Sequence, residues 1–106
     1  MARERMSSVD TAWLRMDSPR NLMMIVGVFV FGERLAYEDI ARLIEARLLR
    51  FRRFRQRVEA DAVGHQWVDD DRFRLERHLK RVRLRGACGA RQLQQLTARL
   101  AVPPLD

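Results

Sequence analysis

Two histidines, a run of three aspartates, a cluster of six arginines and one cysteine are the residues here whose types could do chemistry. His65 and His78 could each serve as a general base, a role that needs a positioned partner and a pocket. Neither lies in a set with metal-ligand spacing. His78 sits in Glu76-Arg77-His78-Leu79-Lys80-Arg81, among cations that disfavour its charged form, so a structural role is the simpler reading. Asp69-Asp70-Asp71 could offer oxygens to a cation. A calcium loop needs spaced oxygens and a terminal acid, so a solvated turn fits the run better. Cys88 alone cannot form an internal disulfide or a cysteine-rich metal site, and it reads as a small loop residue. No G-x-x-x-x-G-K, G-x-G-x-x-G or G-x-S-x-G occurs. No residue is therefore assigned a catalytic or metal-binding role, and cofactor-binding residues stay unassigned.

Arg47, Arg50, Arg52, Arg53, Arg55 and Arg57 form the strongest electrostatic feature, with Phe51 and Phe54 among them. Basic residues interleaved with aromatics can bind single-stranded nucleic acid. Here the phenylalanines fall on the apolar sides of the surrounding elements, so a solvated basic face is preferred. The net charge is +7, and Lys80 is the only lysine. The sequence pI of about 11.3 is compatible with nucleic acid, an anionic membrane surface or an acidic coenzyme. Near-absence of lysine is also what a GC-rich coding sequence produces, with no anionic partner required.

These residues need elements to position them. Ser7 and Ser8, then Asp10, then Ala12, Trp13, Leu14 and Met16 predict a short helix that Asp17-Ser18-Pro19 stops. Asn21 to Phe31 is apolar on both parities and predicts a strand covered on both faces. Gly27 within it suggests a bulge or close packing. Ile40, Leu43, Ile44, Leu48 and Phe51 predict a helix over 37–51, with acids at its start and arginines near its end. Phe54, Gln56 and Val58 alternate with Arg53, Arg55 and Arg57, which predicts a strand over 52–58. A turn at 61–64, a short returning strand at 65–68 and a polar turn at 69–71 follow. Residues 73–84 fit neither period and are expected to be mostly extended. Gly86 to Gly89 is a loop, and Leu93, Leu96 and Leu100 predict a last helix over 90–101, ended by Pro103-Pro104. The order indicates a mixed α and β layer in one unit, residues 1–106.

Charged residues make up 33% of the chain, and its longest apolar run, Leu22 to Phe31, is half of the ~20 residues a bilayer span needs. No secretory signal is recognisable at the start. The expectation is a cytoplasmic protein.

Five segments together resemble the bacterial wax ester synthase/diacylglycerol acyltransferase family. They are Met6 to Leu14, Ser18 to Met24, Phe54-Arg55-Gln56-Arg57-Val58, the set Trp67, Asp70, Phe73 and His78, and Leu96 to Asp106 with its Pro-Leu-Asp. They occur in the family's order over nearly the whole chain. Arg85 stands where the family usually has proline, and Ala87-Cys88 replaces a loop richer in glycine and proline.

The resemblance implies part of the amino-terminal half of a coenzyme-A-dependent acyltransferase-like (chloramphenicol acetyltransferase-like) fold, with two α/β halves around a channel. It implies transfer of a fatty acyl group from acyl-coenzyme A, as substrate, to diacylglycerol or a long-chain alcohol. The family's His-His-x-x-x-Asp-Gly, whose second histidine is taken to deprotonate the acceptor, is not among these residues. No catalytic residue is carried over, and His65 and His78 are not promoted. The expectation is an amino-terminal fragment, inactive and poorly soluble by itself, that a separate carboxy-terminal chain could complete. Arg52, Arg53 and Arg55 would be the residues to meet phosphates of a membrane or lipid droplet. A small basic nucleic-acid-binding module and a self-standing interaction protein remain the alternatives.

Overall fold

The computed structural model describes residues 2–84, 86 and 89–103. The expectations for Arg85, for Ala87-Cys88 and for the Pro-Leu-Asp end lie outside them.

Ser7 caps the first helix, α1 (Ser8–Met16): its side-chain oxygen accepts from the Asp10 N–H at 3.1 Å. Asp17 ends the helix and its carboxylate accepts from the Met23 N–H at 2.9 Å, which pins the chain as it turns through Pro19. The second helix, α2 (Tyr37–Arg47), stops earlier than its apolar period, and residues 48–51 form turns. The third helix, α3 (Ala90–Ala101), starts at Gly89, whose N–H donates to Gln92 Oε1 at 3.1 Å. Glycine has no side-chain oxygen to return, so only one arm of a capping box forms.

The sheet has three antiparallel strands in the order β1-β3-β2: β1 (Arg3–Arg5), β2 (Gln56–Ala60) and β3 (His65–Asp69). β2 and β3 form a hairpin whose turn is held by Asp61 Oδ1, which accepts from the N–H groups of Val63 and Gly64, both at 2.9 Å. Gly64 has φ +151°, a conformation that favours glycine. β1 was not foreseen from the sequence. Directly opposed residues share a face, so Arg3, Val68 and Arg57 lie on one side, and Glu4, Trp67 and Val58 on the other.

Three expectations are corrected. Residues 52–55 form a 3-10 turn, and the strand begins only at Gln56. Residues 21–31 carry strand-forming side chains, yet beyond a single bridge at Asn21 they pair with no strand among the described residues. A segment apolar on both sides needs a ladder and two covering layers, and nothing described supplies them. Ile25 is 99% and Phe29 82% exposed. Gly27 is neither a bulge nor a close approach: an added Cβ would meet only Phe29, at 3.7 Å. Residues 73–84 are irregular apart from a 3-10 turn at Leu75–Arg77.

Among the described residues, only Met6 (7% exposed) and Val68 (0%) are buried apolar side chains. The radius of gyration is 16.8 Å, against about 13 Å expected for a compact chain of this length. The molecule is an open mixed α and β layer rather than one packed around a full core.

Candidate functional site

Two apolar grooves flank the hairpin. The first, about 570 Å³, runs between α1, the stretch at 22–24 and the Trp67 face of the sheet. Trp13, Leu14, Leu22, Met24, Val58 and Trp67 are among its walls, with Asp10, Asp17 and Arg57 as polar ones. The second, about 420 Å³, lies under α2, where Ile44 and Leu48 face Phe54, Phe73, Leu79 and His78.

The pattern Trp67, Asp70, Phe73 and His78 divides between these grooves. Trp67 lines the first, and its ring carries the Arg53 guanidinium 4.4 Å above it. Phe73 and His78 line the second, stacked with ring centroids 5.1 Å apart and planes inclined by 11°. The Tyr37 hydroxyl donates to the Leu79 carbonyl at 2.7 Å and ties the same segment to the start of α2. The spacing therefore places these side chains on both sides of the hairpin.

Neither histidine is placed as a catalytic base. His65 begins β3, and its Nδ1 is shielded from solvent with no hydrogen-bond partner among the described residues. Trp67 Nε1 is in the same condition. His78 is exposed, and its ring contact is Phe73 rather than a carboxylate. A base–orienter pair is what acid–base catalysis requires, and the described residues do not assemble one.

Two of the three aspartates, Asp69 and Asp70, are engaged as ion-pair and turn groups. Asp69 accepts from Arg52 Nε at 2.7 Å, Arg52 Nη2 at 2.9 Å and Gln56 Nε2 at 3.0 Å. The fork of Arg52 beside it, with Gln56, holds the Asp69 carboxyl well below the usual carboxylate range. The Arg5 guanidinium and the Val63 and Gly64 N–H groups lower Asp61 to about 2. Asp70 Oδ1 accepts from the Arg72 N–H at 3.0 Å. Among the described residues no group of three or more potential ligands gathers for a metal ion.

The arginine cluster is not a free face. Arg52 is bound to Asp69, Arg53 to Glu4, and Arg57 to Glu59 at 2.6 Å. Arg3 and Arg5 reach across the sheet to Glu59 and Asp61, each at 3.1 Å. On α2 itself, Arg42 pairs with Asp39 one turn back. Arg50 lies over Phe51 at 4.8 Å. Phe51 and Phe54 are both about half exposed rather than turned fully to the apolar side. Sequence reasoning missed the partner carboxylates of β1, although Arg3 and Arg5 have the same two-residue spacing as Glu59 and Asp61.

Comparison with known proteins identifies the family. The chain matches the wax ester synthase/diacylglycerol acyltransferase catalytic domain over residues 6–106. A Mycobacterium tuberculosis protein named as a probable diacylglycerol O-acyltransferase, tgs3, is 32% identical over 109 residues, covering 96% of this chain and 40% of its own length. A second M. tuberculosis protein, provisionally named diacylglycerol O-acyltransferase Rv1760, is 27% identical over 113 residues, covering 99% of this chain and 22% of its own. The chain thus spans well under half the length of these curated relatives. No solved structure matches it. Among the described residues no helix is long and apolar enough to cross a membrane. With a domain match over nearly its full length, the chain belongs to the wax ester synthase/diacylglycerol acyltransferase family.

Proposed function

We propose that these residues form part of the first lobe of an O-acyltransferase that moves a fatty acyl group from acyl-coenzyme A to diacylglycerol or a long-chain alcohol. The fold proposed for the whole enzyme is coenzyme-A-dependent acyltransferase-like, with the reaction in a channel between two α/β lobes. The observation that carries this reading is the first groove. Its apolar walls come from the same α1, 22–24 and hairpin segments on which the family likeness rests. An apolar groove with few polar groups suits a long acyl chain.

Within such an enzyme these residues bind and position; they do not move the proton. The base that makes the acceptor hydroxyl nucleophilic is assigned to a His-His-x-x-x-Asp-Gly motif outside them. The role of Trp67, Asp70, Phe73 and His78 is to fix the hairpin between the two grooves. The exposed run from Ile25 to Phe31 is apolar surface that further chain of the complete enzyme, or a separate chain carrying the remainder, would cover. No cofactor is called for, since acyl-coenzyme A enters as substrate.

A chimera tests this. The stretch of tgs3 aligned with this chain is replaced by this chain, and the product is assayed with palmitoyl-coenzyme A and dioleoylglycerol. Triacylglycerol formation at a rate comparable with tgs3 is expected. A folded chimera that binds neither substrate would refute the assignment.

A further inference from the structure

The ion pairs of the sheet leave the positive charge unevenly distributed. Every arginine of β1 and two of the 52–55 turn meet a carboxylate. Residues 72–83 differ. Arg72, Arg74, Arg77, Lys80, Arg81 and Arg83 stand there with one carboxylate, Glu76, and all six cations are exposed. None of them forms a salt bridge among the described residues; Arg74 donates only to the neighbouring Phe73 carbonyl, at 2.8 Å.

The segment is nevertheless fixed. Phe73, Leu75 and Leu79 turn inward to the groove under α2, and the Tyr37 hydroxyl holds the Leu79 carbonyl. Apolar side chains anchor the strap from below while its cations point out. Glu38 of α2 shares a cleft with Glu76, Lys80 and Arg81, which offsets part of the charge at that end. Arg74 and Arg77 are not among the lining of that cleft.

We propose that this strap, and not the arginines at 52–57, is a docking surface for the phosphates of an anionic lipid bilayer. The choice of lipid over nucleic acid follows from the side chains beside the cations. Single-stranded nucleic acid needs exposed aromatic rings for its bases. Of the two rings in the strap, Phe73 is half-buried, and the exposed His78 ring already has one face stacked on it. The exposed apolar group is instead aliphatic: Val82, 56% exposed between Arg81 and Arg83. A basic rim with an aliphatic tip suits a headgroup layer over acyl chains. The inference goes beyond the acyl-transfer reading and does not depend on catalysis.

Vesicle flotation of the chain tests it, because flotation separates bound protein from aggregate. Binding is expected to phosphatidylserine/phosphatidylcholine vesicles and not to phosphatidylcholine alone. The triple variant R74Q/R77Q/R81Q should bind on the order of 100-fold more weakly, and each single variant about fivefold. A control triple, R15Q/R20Q/R34Q, removes the same charge from exposed positions elsewhere and should stay within about threefold of the parent, as the distance dependence of surface attraction requires. Matching far-UV circular dichroism establishes that the variants fold alike, and the single variants keep the comparison if the triple does not. Equal losses in both triples, no loss in the strap triple, or no flotation of the parent would each overturn the proposal. So would a strap triple that loses a fluorescent oligonucleotide while keeping vesicles.

Discussion

Val68 and the run from Ile25 to Phe31 have opposite relations to the fold, and substitution should separate them. Val68 is wholly buried in the central strand, between Arg3 on β1 and Arg57 on β2. Val68→Ala removes two methyl-sized groups at about 0.8 kcal/mol each, so about 1.6 kcal/mol is lost in transfer. The cavity left in so small a core raises the total to about 2–3 kcal/mol. Ile25, Phe29 and Val30 are 99%, 82% and 78% exposed. Changing all three to Ser removes almost no native burial, so each should move stability by no more than about 0.5 kcal/mol. The same change breaks an exposed apolar run and should lower aggregation. Urea titration at low protein concentration, followed by tryptophan emission, measures the first effect, and light scattering the second. V68A should shift the midpoint clearly downward, while I25S/F29S/V30S leaves it in place and reduces scattering. A serine triple that destabilises as much as V68A would refute the reasoning, because that run would then be packed in solution.

Other outcomes follow from single contacts. Tyr37→Phe deletes the hydroxyl that donates to the Leu79 carbonyl and should cost about 1 kcal/mol in the same titration. Arg53→Gln removes the cation over Trp67 and should cost about 0.5–1 kcal/mol and shift Trp67 emission, read in a Trp13→Phe background. Asp61 is depressed to about 2 in the fold, so its contribution is present above the unfolded value near 4 and is lost as pH falls from about 4 to about 2. The acid unfolding curve of Asp61→Asn should be flatter across that window. An unchanged curve would show that the Arg5 and turn contacts do not persist in solution.

The elements whose signals are local were legible in the sequence. Ser7 with Asp10 marked α1, the three- and four-residue apolar steps marked α2 and α3, and the hairpin turn stood where Asp61 and Gly64 predicted it. Alternation alone extended β2 too far back, because Arg52 and Arg53 leave one 3-10 turn in different directions to reach Asp69 and Glu4. β1 has no apolar residue within Arg3–Arg5 and is held by cross-strand charge, a signal that exists only once β2 is placed in the same sheet. The strand expected at 21–31 has the right side chains, but a ladder depends on a second segment that its own residues cannot supply. The solvated basic face was half legible: the arginines at 52–57 are mostly paired, and the unpaired charge lies further along the chain.

The family likeness was readable from ordered short motifs, and the structure shows where their side chains sit. Trp67 and His78 line different grooves, one on each side of the hairpin.

The most direct measurement asks where the proton is taken. In the tgs3 chimera, His65→Gln and His78→Gln should each leave the acyl-transfer rate within about threefold, since a general base contributes about 10²–10⁴-fold. Loss of 100-fold or more from either change, with the fold intact by circular dichroism, would contradict the claim that these residues position the substrate while the base lies outside them.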